Sequence, residues 1–407
     1  AAGSVANAIG FAKGRDADGG QMSRLYAVES QYSTTGSAAD HRLSVASENI
    51  GGFVASLLAA VTGDAVAPAK DQPYRNRVFN AMVADLTKDN NAGKSVVICG
   101  ENQPAEVHAI VHRINEELGN IGKTVTFTKP AGADRPSSIE AISSLAEQLK
   151  AGKIKRVVVL GGNPVYDAPR GLDIGSLLEA AEQAIHVSCY KNETSLKCDW
   201  VAAAAHPLAA WKDGKTFAGS TLVGQPLINP LHGGKSALET LATLMGETKT
   251  SGQAIVRETL KLDENDKAWM QAVHDGFVAK SELKPVEAKL QGKVELAADD
   301  VWATAWDGES FELVFKTSNS VYDGRFANNA WLQELPDFFT KITWDNVASI
   351  SPKTAEALGV TQSGMAAKSR TQKININIGG EPVEIPVAIQ PGQADGSIGL
   401  EIGYGRT

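Results

Sequence analysis

A short apolar run constrains the fold of this chain more than any other feature. Four consecutive apolar residues, Val157 to Leu160, are followed directly by Gly161 and Gly162. The run is too short for a helix and does not alternate, and three of its residues are β-branched, so it predicts a parallel strand buried on both faces. The glycines and Pro164 predict a turn at the carboxyl end of this strand, where open α/β sheets bind their ligands.

Predicted strands and helices alternate on both sides of this run. Helical spacing of apolar residues follows Pro104, and Ser137 with Glu140 predicts a capping box at the start of another helix. This alternation is typical of parallel sheets with helices on both faces. The predicted strands are 24–30, 94–100, 124–128, 156–160 and 185–187, and the predicted helices include 50–61, 104–118, 137–149, 177–184, 235–245 and 261–279.

The pattern changes after residue 300. Period-two alternation at 302–306, 311–315, 374–378 and 383–389 predicts strands that are half-buried, and 398–402 adds a short one. We therefore predict doubly wound, Rossmann-like α/β domains followed by a small β-barrel. At 407 residues the chain suggests more than one domain. The predicted segments are the end of an upstream α/β domain (1–70), a Rossmann-like domain (74–250), a helical linker (251–292) and a β-barrel domain (293–407).

Composition narrows the functional classes. The net charge of −8 argues against nucleic acid and against an anionic membrane surface as partners. No apolar run approaches the roughly 20 residues that span a bilayer. Cys99, Cys189 and Cys198 show no Cys-x-x-Cys spacing, so this segment is not expected to hold an iron–sulfur cluster by itself. A disulfide between Cys189 and Cys198 is an open alternative to two buried thiols.

The motifs of common catalytic sites are missing. The chain contains no Gly-x-Gly-x-x-Gly, no P-loop and no Gly-x-Ser-x-Gly sequence. His108 and His112 have the spacing of two metal ligands on a helix, but no third ligand is evident, and a solvated helix face is the preferred interpretation. Ser195 has no evident base partner. We therefore predict no catalytic residues and no metal site.

Three segments in order carry a resemblance: Gly161-Gly162-Asn163-Pro164 at a strand end, then Glu193-Thr194, then Lys212-Asp213-Gly214. They resemble the third and fourth domains of the molybdopterin oxidoreductase (DMSO reductase-like) superfamily. More narrowly, the chain looks like the molybdopterin-oxidoreductase-like part of the large iron–sulfur protein of alternative complex III. The narrower resemblance lies in residues 24–30, 35–43, 161–166, 225–231, 330–336, 343–346 and 403–407.

The superfamily resemblance implies where a pterin dinucleotide would bind, if it binds at all. The residues at matching positions are Glu29, Gly162, Asn163, Glu193, Thr194, Asp199 and Asp213. Several positions depart from the superfamily: Ser30-Gln31-Tyr32 replaces the usual Pro-Arg, 218–220 lacks the usual Asn and Arg, and 316–319 lacks the usual His-Thr-Gly. A cofactor with several phosphate charges needs cationic donors. We therefore expect no cofactor in this segment.

The alternative complex III resemblance implies a scaffold in a membrane quinol:electron-acceptor oxidoreductase. Its expected partners are a multihaem cytochrome c, a ferredoxin-like part that holds the iron–sulfur clusters, and an integral membrane quinol-binding subunit. The implied location is the outer, periplasmic face of the cytoplasmic membrane, reached through a twin-arginine-like signal outside this chain. Two alternatives remain open: an active molybdenum or tungsten bis-pterin oxidoreductase, similar to polysulfide or thiosulfate reductases, and a soluble protein that binds a small ligand near Gly161.

Overall fold

The computed structural model describes residues 4–19, 22–64, 73–129, 136–216, 218–288, 306–360 and 372–406. Contacts divide the chain into two compact units: unit 1 is Ala1–Val125 with Lys289–Tyr404, and unit 2 is Thr126–Ala288 with Gly405–Thr407. This division differs from the predicted segments, which place 74–250 in one domain. As domain boundaries, those segments stay a prediction.

Helices and strands alternate through most of the described residues. The helices there are α1 Ser4–Lys13, α2 Thr34–Ala38, α3 Ile50–Thr62, α4 Pro73–Thr87, α5 Ala105–Glu117, α6 Ser138–Lys150, α7 Pro164–Asp167, α8 Ile174–Ala180, α9 Ala237–Leu244, α10 Gly252–Leu260, α11 Lys267–Asp275, α12 Ala330–Glu334 and α13 Pro352–Ala357. The strands are β1 Tyr26–Glu29, β2 His41–Ser44, β3 Arg156–Leu160, β4 Gln183–Ser188, β5 Trp200–Ala203, β6 Lys212–Lys215, β7 Thr221–Gly224, β8 Glu312–Thr317, β9 Ala348–Ile350, β10 Lys373–Ile378, β11 Glu381–Ile389 and β12 Ser397–Ile402. None of these helices has the length and hydropathy that crossing a membrane requires.

The amino-terminal half of unit 1 is a small α/β layer. Strands β1 and β2 pair in parallel, and α3, α4 and α5 enclose an apolar core that includes Leu43, Phe53, Phe79 and Ile114. The predicted helices at 50–61 and 104–118 are confirmed, because their apolar spacing matches the face that packs into this core.

Two predicted strands of this region are wrong. Residues 95–100 are extended but have no strand partner among the described residues, and Thr124–Thr128 contributes only isolated bridges. Instead, the side chain of Asn115 binds the backbone of Val97: it accepts from the N–H at 3.0 Å and donates to the carbonyl at 2.8 Å. The apolar run is buried only in part, since Val97 and Cys99 pack against the core whereas Val96 and Ile98 are 50% and 82% exposed. A side chain here takes the place of the neighbouring strand.

The carboxy-terminal part of unit 1 is a mixed sheet with the order β10-β11-β9-β12-β8. Its two edges, β10 and β8, do not pair with each other in the described residues, so a closed barrel is not shown and the predicted barrel stays a prediction. The alternation at 302–305 lies outside the described residues. Two side-chain amides bind β8. Asn102 donates at 3.3 Å to the carbonyl of Phe315 on the open edge, and Gln31 donates at 2.8 Å to the carbonyl of Val314 on the side that pairs with β12.

Unit 2 contains a parallel sheet with the order β3-β4-β5. The strand predicted at Val157 is therefore confirmed, but its burial on both faces is wrong: β3 lies at a sheet edge among the described strands, and Val158 is 37% exposed. The capping box of α6 forms as predicted between Ser137 and Glu140. The helix predicted at 261–279 is shorter, because Asp266 caps α11 and Gly276 ends it in a left-handed conformation.

Candidate functional site

The turn after β3 brings together four of the seven predicted site residues. Gly161 and Gly162 have φ angles of +69° and +70°, which glycine adopts without strain. They place Asn163 at the amino end of α7, beside the loop that follows β4 and carries Glu193 and Thr194. The turn predicted at the carboxyl end of this strand is therefore present, while ligand binding there stays a prediction.

Asn163 is the centre of the hydrogen bonds in this turn and is only 9% exposed. Its amide nitrogen donates to Glu193 Oε2 at 2.7 Å, and its Oδ1 accepts from the backbone N–H and the hydroxyl of Thr194 at 3.1 and 2.8 Å. Thr194 Oγ1 also accepts from the N–H of Val165 at 3.1 Å. These polar groups therefore stabilise the strand end by binding one another.

Arg406 was missed by sequence analysis and completes this cluster within unit 2. Its Nε and Nη2 donate to the two carboxylate oxygens of Glu193 at 3.1 and 2.9 Å, and both side chains are only 15% exposed. The guanidinium carbon lies 5.6 Å from the ring centroid of Tyr166. The ion pair lowers the pKa of Glu193 to about 2, mainly through the hydrogen bonds from Arg406. The same pair raises the pKa of Arg406.

A buried histidine lies directly beneath this turn. His186 on β4 is fully buried, and its Nδ1 lies 2.8 Å from Ser195 Oγ. Ser195 therefore does have a histidine neighbour, contrary to the sequence prediction. Burial lowers the pKa of His186, although the backbone of Gly162 and Gly161 opposes this shift. Ser195 is itself buried, and its hydroxyl accepts from the N–H of Asn192 at 3.1 Å. The His186–Ser195 pair therefore stabilises the loop after β4, and its burial leaves no room for a substrate.

The remaining predicted residues lie elsewhere. Glu29 belongs to unit 1, where it accepts from Arg42 Nε at 2.6 Å and from the Ser33 hydroxyl at 2.5 Å. Asp199 accepts from the N–H of Ala184 at 2.8 Å and so ties the start of β5 to β4. Asp213 lies in the β6–β7 hairpin, opposite Val223. Glu29 and Asp199 thus make hydrogen bonds to residues of their own unit, and Asp213 belongs to a paired strand.

Unit 1 has a small polar cavity of its own, of about 30 Å³. Gln31 and Tyr32, which the sequence resemblance sets against the superfamily's Pro-Arg, contribute to its wall. The guanidinium of Arg42 lies 3.9 Å from the centroid of the Tyr32 ring. A cavity of this volume holds one or two water molecules.

The described residues contain no group of three His, Cys, Asp or Glu side chains that could hold a metal ion. His112 lies on the exposed part of α5 and His108 is half-buried. Cys99, Cys189 and Cys198 are free thiols, and burial raises the pKa of Cys99 and Cys198.

Comparisons with known proteins address the fold. No family model matches the chain, and no curated protein matches it in sequence. Among solved structures, it is similar to acetylene hydratase from Pelobacter acetylenicus, with a TM-score of 0.55 and 12% identity, over 94% of this chain and 67% of that chain. The fold is molybdopterin oxidoreductase-like. At this identity the likeness concerns the fold alone, and the narrower resemblance to alternative complex III stays a prediction.

The resemblance of the sequence to the molybdopterin oxidoreductase superfamily raises the question of whether a pterin dinucleotide fits the turn after β3. The glycines leave space, since a Cβ added at Gly161 would have no atom within 4 Å. The side chains are less suitable: both carboxylate oxygens of Glu193 bind Arg406, and Asn163 and Thr194 bind each other. Phosphates need cationic donors, and the arginine of this cluster is already neutralised by Glu193. The residues as arranged do not fit the cofactor.

Proposed function

We propose that this chain is a non-catalytic scaffold in a membrane quinol:electron-acceptor oxidoreductase of the alternative complex III type. The observation that carries the proposal is the closed cluster after β3. There Arg406 donates to both carboxylate oxygens of Glu193, and Asn163 donates to one of them. The likeness to acetylene hydratase bears on the fold alone, and the alternative complex III part of the proposal rests on the sequence resemblance.

The cluster favours a structural role because its groups satisfy one another. A site that binds a charged cofactor keeps donors directed at the ligand, whereas here the donors and acceptors pair within the chain. Removing Glu193 from Arg406 would leave two opposite charges, each only 15% exposed, without their partner. Such a separation is costly, so the cluster resists opening toward a ligand.

The proposed complex contains specific partners of this chain. Electrons pass through iron–sulfur clusters in a ferredoxin-like part and through a multihaem cytochrome c, while quinol binds to an integral membrane subunit. This chain supports their arrangement at the outer, periplasmic face of the cytoplasmic membrane, after export by a twin-arginine-like signal. It holds no cofactor of its own.

Elemental analysis of the natively purified complex tests the scaffold role. We expect iron without molybdenum or tungsten, and no fluorescent pterin after acid release. Stoichiometric molybdenum or tungsten together with pterin would overturn the proposal. The complex itself is tested by purifying the tagged full-length protein from membranes: covalently bound haem and quinol oxidation should accompany it, and their absence would rule out the alternative complex III assignment.

One observation favours an active molybdenum or tungsten enzyme as the second candidate. Arg406 brings a cation to the glycine turn, and an exchange of Glu193 for a phosphate would free it for nucleotide binding. In that case Arg406→Met would release pterin from the purified protein, whereas the scaffold proposal expects no pterin to be present in either form.

A further inference from the structure

An uncharged, exposed aliphatic loop stands out in unit 2. Residues 216–234 contain no Asp, Glu, Lys or Arg, although such residues make up 21% of the chain. Within this stretch, residues 225–231 form what we call the aliphatic loop. Leu227, Ile228 and Leu231 are 74%, 55% and 67% exposed, and the adjacent Leu208 is 52% exposed.

The loop is held firmly in this exposed position. The N–H of Leu227 donates to the carbonyl of Leu208 at 2.8 Å, so the two leucines lie side by side. Pro226 and Pro230 fix their φ angles and have no N–H that needs a partner. An unpaired backbone N–H makes the transfer of a loop into an apolar medium unfavourable, and Pro226 and Pro230 have no N–H to transfer.

Lysines flank the aliphatic loop on both sides. The side chain of Lys212 lies along Gly224, and its Nζ donates to the carbonyl of Pro207 at 3.1 Å, next to Leu208. Lys235 follows the turn at Leu231–Gly233 and is exposed. Residues 204–236 contain three lysines and one aspartate, a formal charge of +2 in a chain whose net charge is −8.

We propose that the aliphatic loop docks on the surface of a lipid bilayer, with Leu227, Ile228 and Leu231 inserted among the acyl chains at the headgroup boundary. Lys212 and Lys235 then face anionic phosphates. A protein partner is disfavoured because protein interfaces are enriched in Trp, Tyr and Arg, and the exposed side chains of the loop are aliphatic. This inference does not depend on the proposed function, and the metal analysis above does not test it.

Vesicle flotation tests the docking with the purified full-length protein. The probes are vesicles of phosphatidylcholine alone and of phosphatidylcholine with phosphatidylglycerol. We expect binding that is stronger on the anionic vesicles. Leu227→Ser and Ile228→Ser should each weaken binding about tenfold on both vesicles. Lys212→Gln and Lys235→Gln should each weaken it about fivefold, and only on the anionic ones.

Leu196→Ser is the matched control, because Leu196 is 68% exposed in the same unit but outside the loop. Its binding should equal that of the unchanged protein, and thermal unfolding checks that every variant folds. The inference is overturned by absence of vesicle binding, or by an equal loss in the Leu196 control. It is also overturned if a photoactivatable residue at position 227 crosslinks to a protein, rather than to lipid, in native membranes.

Discussion

The Arg406–Glu193 pair makes the sharpest prediction about stability. Arg406→Met removes the charge but keeps a side chain of similar length. The pair lowers the pKa of Glu193 to about 2 from an ordinary value near 4.5. At about 1.4 kcal/mol per pKa unit this corresponds to a ceiling of about 3 kcal/mol, and solvent screening reduces the expected loss to about 2 kcal/mol at pH 7.

The contribution of this ion pair to the free energy of unfolding should decrease as the pH falls. Because the folded-state pKa of Glu193 is depressed, its stabilising contribution is present above about pH 4.5 and is lost as pH falls from there toward 2. The difference in unfolding free energy between the unchanged protein and Arg406→Met should therefore be constant above about pH 5.5 and shrink at lower pH. Urea unfolding at pH 7, 4.5 and 3.5 measures it.

A double-mutant cycle with Glu193→Gln isolates the pair. The expected coupling is about 2 kcal/mol at pH 7. Lys197→Met is the control: its salt bridge to Glu179 is exposed at 39% and 52%, and such surface pairs contribute about 0–1 kcal/mol. A coupling below about 0.5 kcal/mol, or a loss that does not change between pH 7 and 3.5, would refute the reasoning.

Three further predictions concern stability and ionisation. Asn115→Ala should destabilise unit 1 by about 2 kcal/mol in urea unfolding, because the partly buried backbone of Val97 loses both partners; an effect below about 0.5 kcal/mol would contradict this. Ser137→Ala should cost about 1 kcal/mol by removing the cap of α6, with Ser138→Ala as the neighbouring control. Burial and the carboxylate of Asp85 raise the pKa of Tyr26 to about 12. The Tyr26–Asp85 hydrogen bond therefore stabilises the fold below pH 10, and this contribution is lost as the pH rises toward 12. In an absorbance titration near 295 nm, Tyr26→Phe should remove the phenol that ionises near pH 12.

The parts of the structure that depend on neighbours in sequence were predictable. The capping box of Ser137 with Glu140 spans three residues, and the helix with Val107 and Ile110 follows from apolar spacing. The turn at Gly161 followed from its two glycines and Pro164, and the resemblance to a known order of segments placed Asn163 and Glu193 in the same candidate site. Local chemistry decides such features, so one chain is enough to predict them.

Features that depend on distant contacts were not predictable. The partner of Glu193 is 213 residues away, and nothing near Arg406 indicates it. An apolar run such as Val157 to Leu160 indicates a strand, but not whether that strand lies at an edge. Net charge is likewise an average over the chain, and the value of −8 includes a local stretch of +2 around Lys212 and Lys235.

The amide of Asn102 on strand β8 has a consequence for self-association. An open sheet edge is a template on which a strand from another molecule can grow, and this is a common route to aggregation. Successive carbonyls of a strand point in opposite directions, and that of Phe315 faces the open edge of β8, where Asn102 donates to it at 3.3 Å. A strand that arrives from another copy of the chain therefore finds this acceptor already occupied.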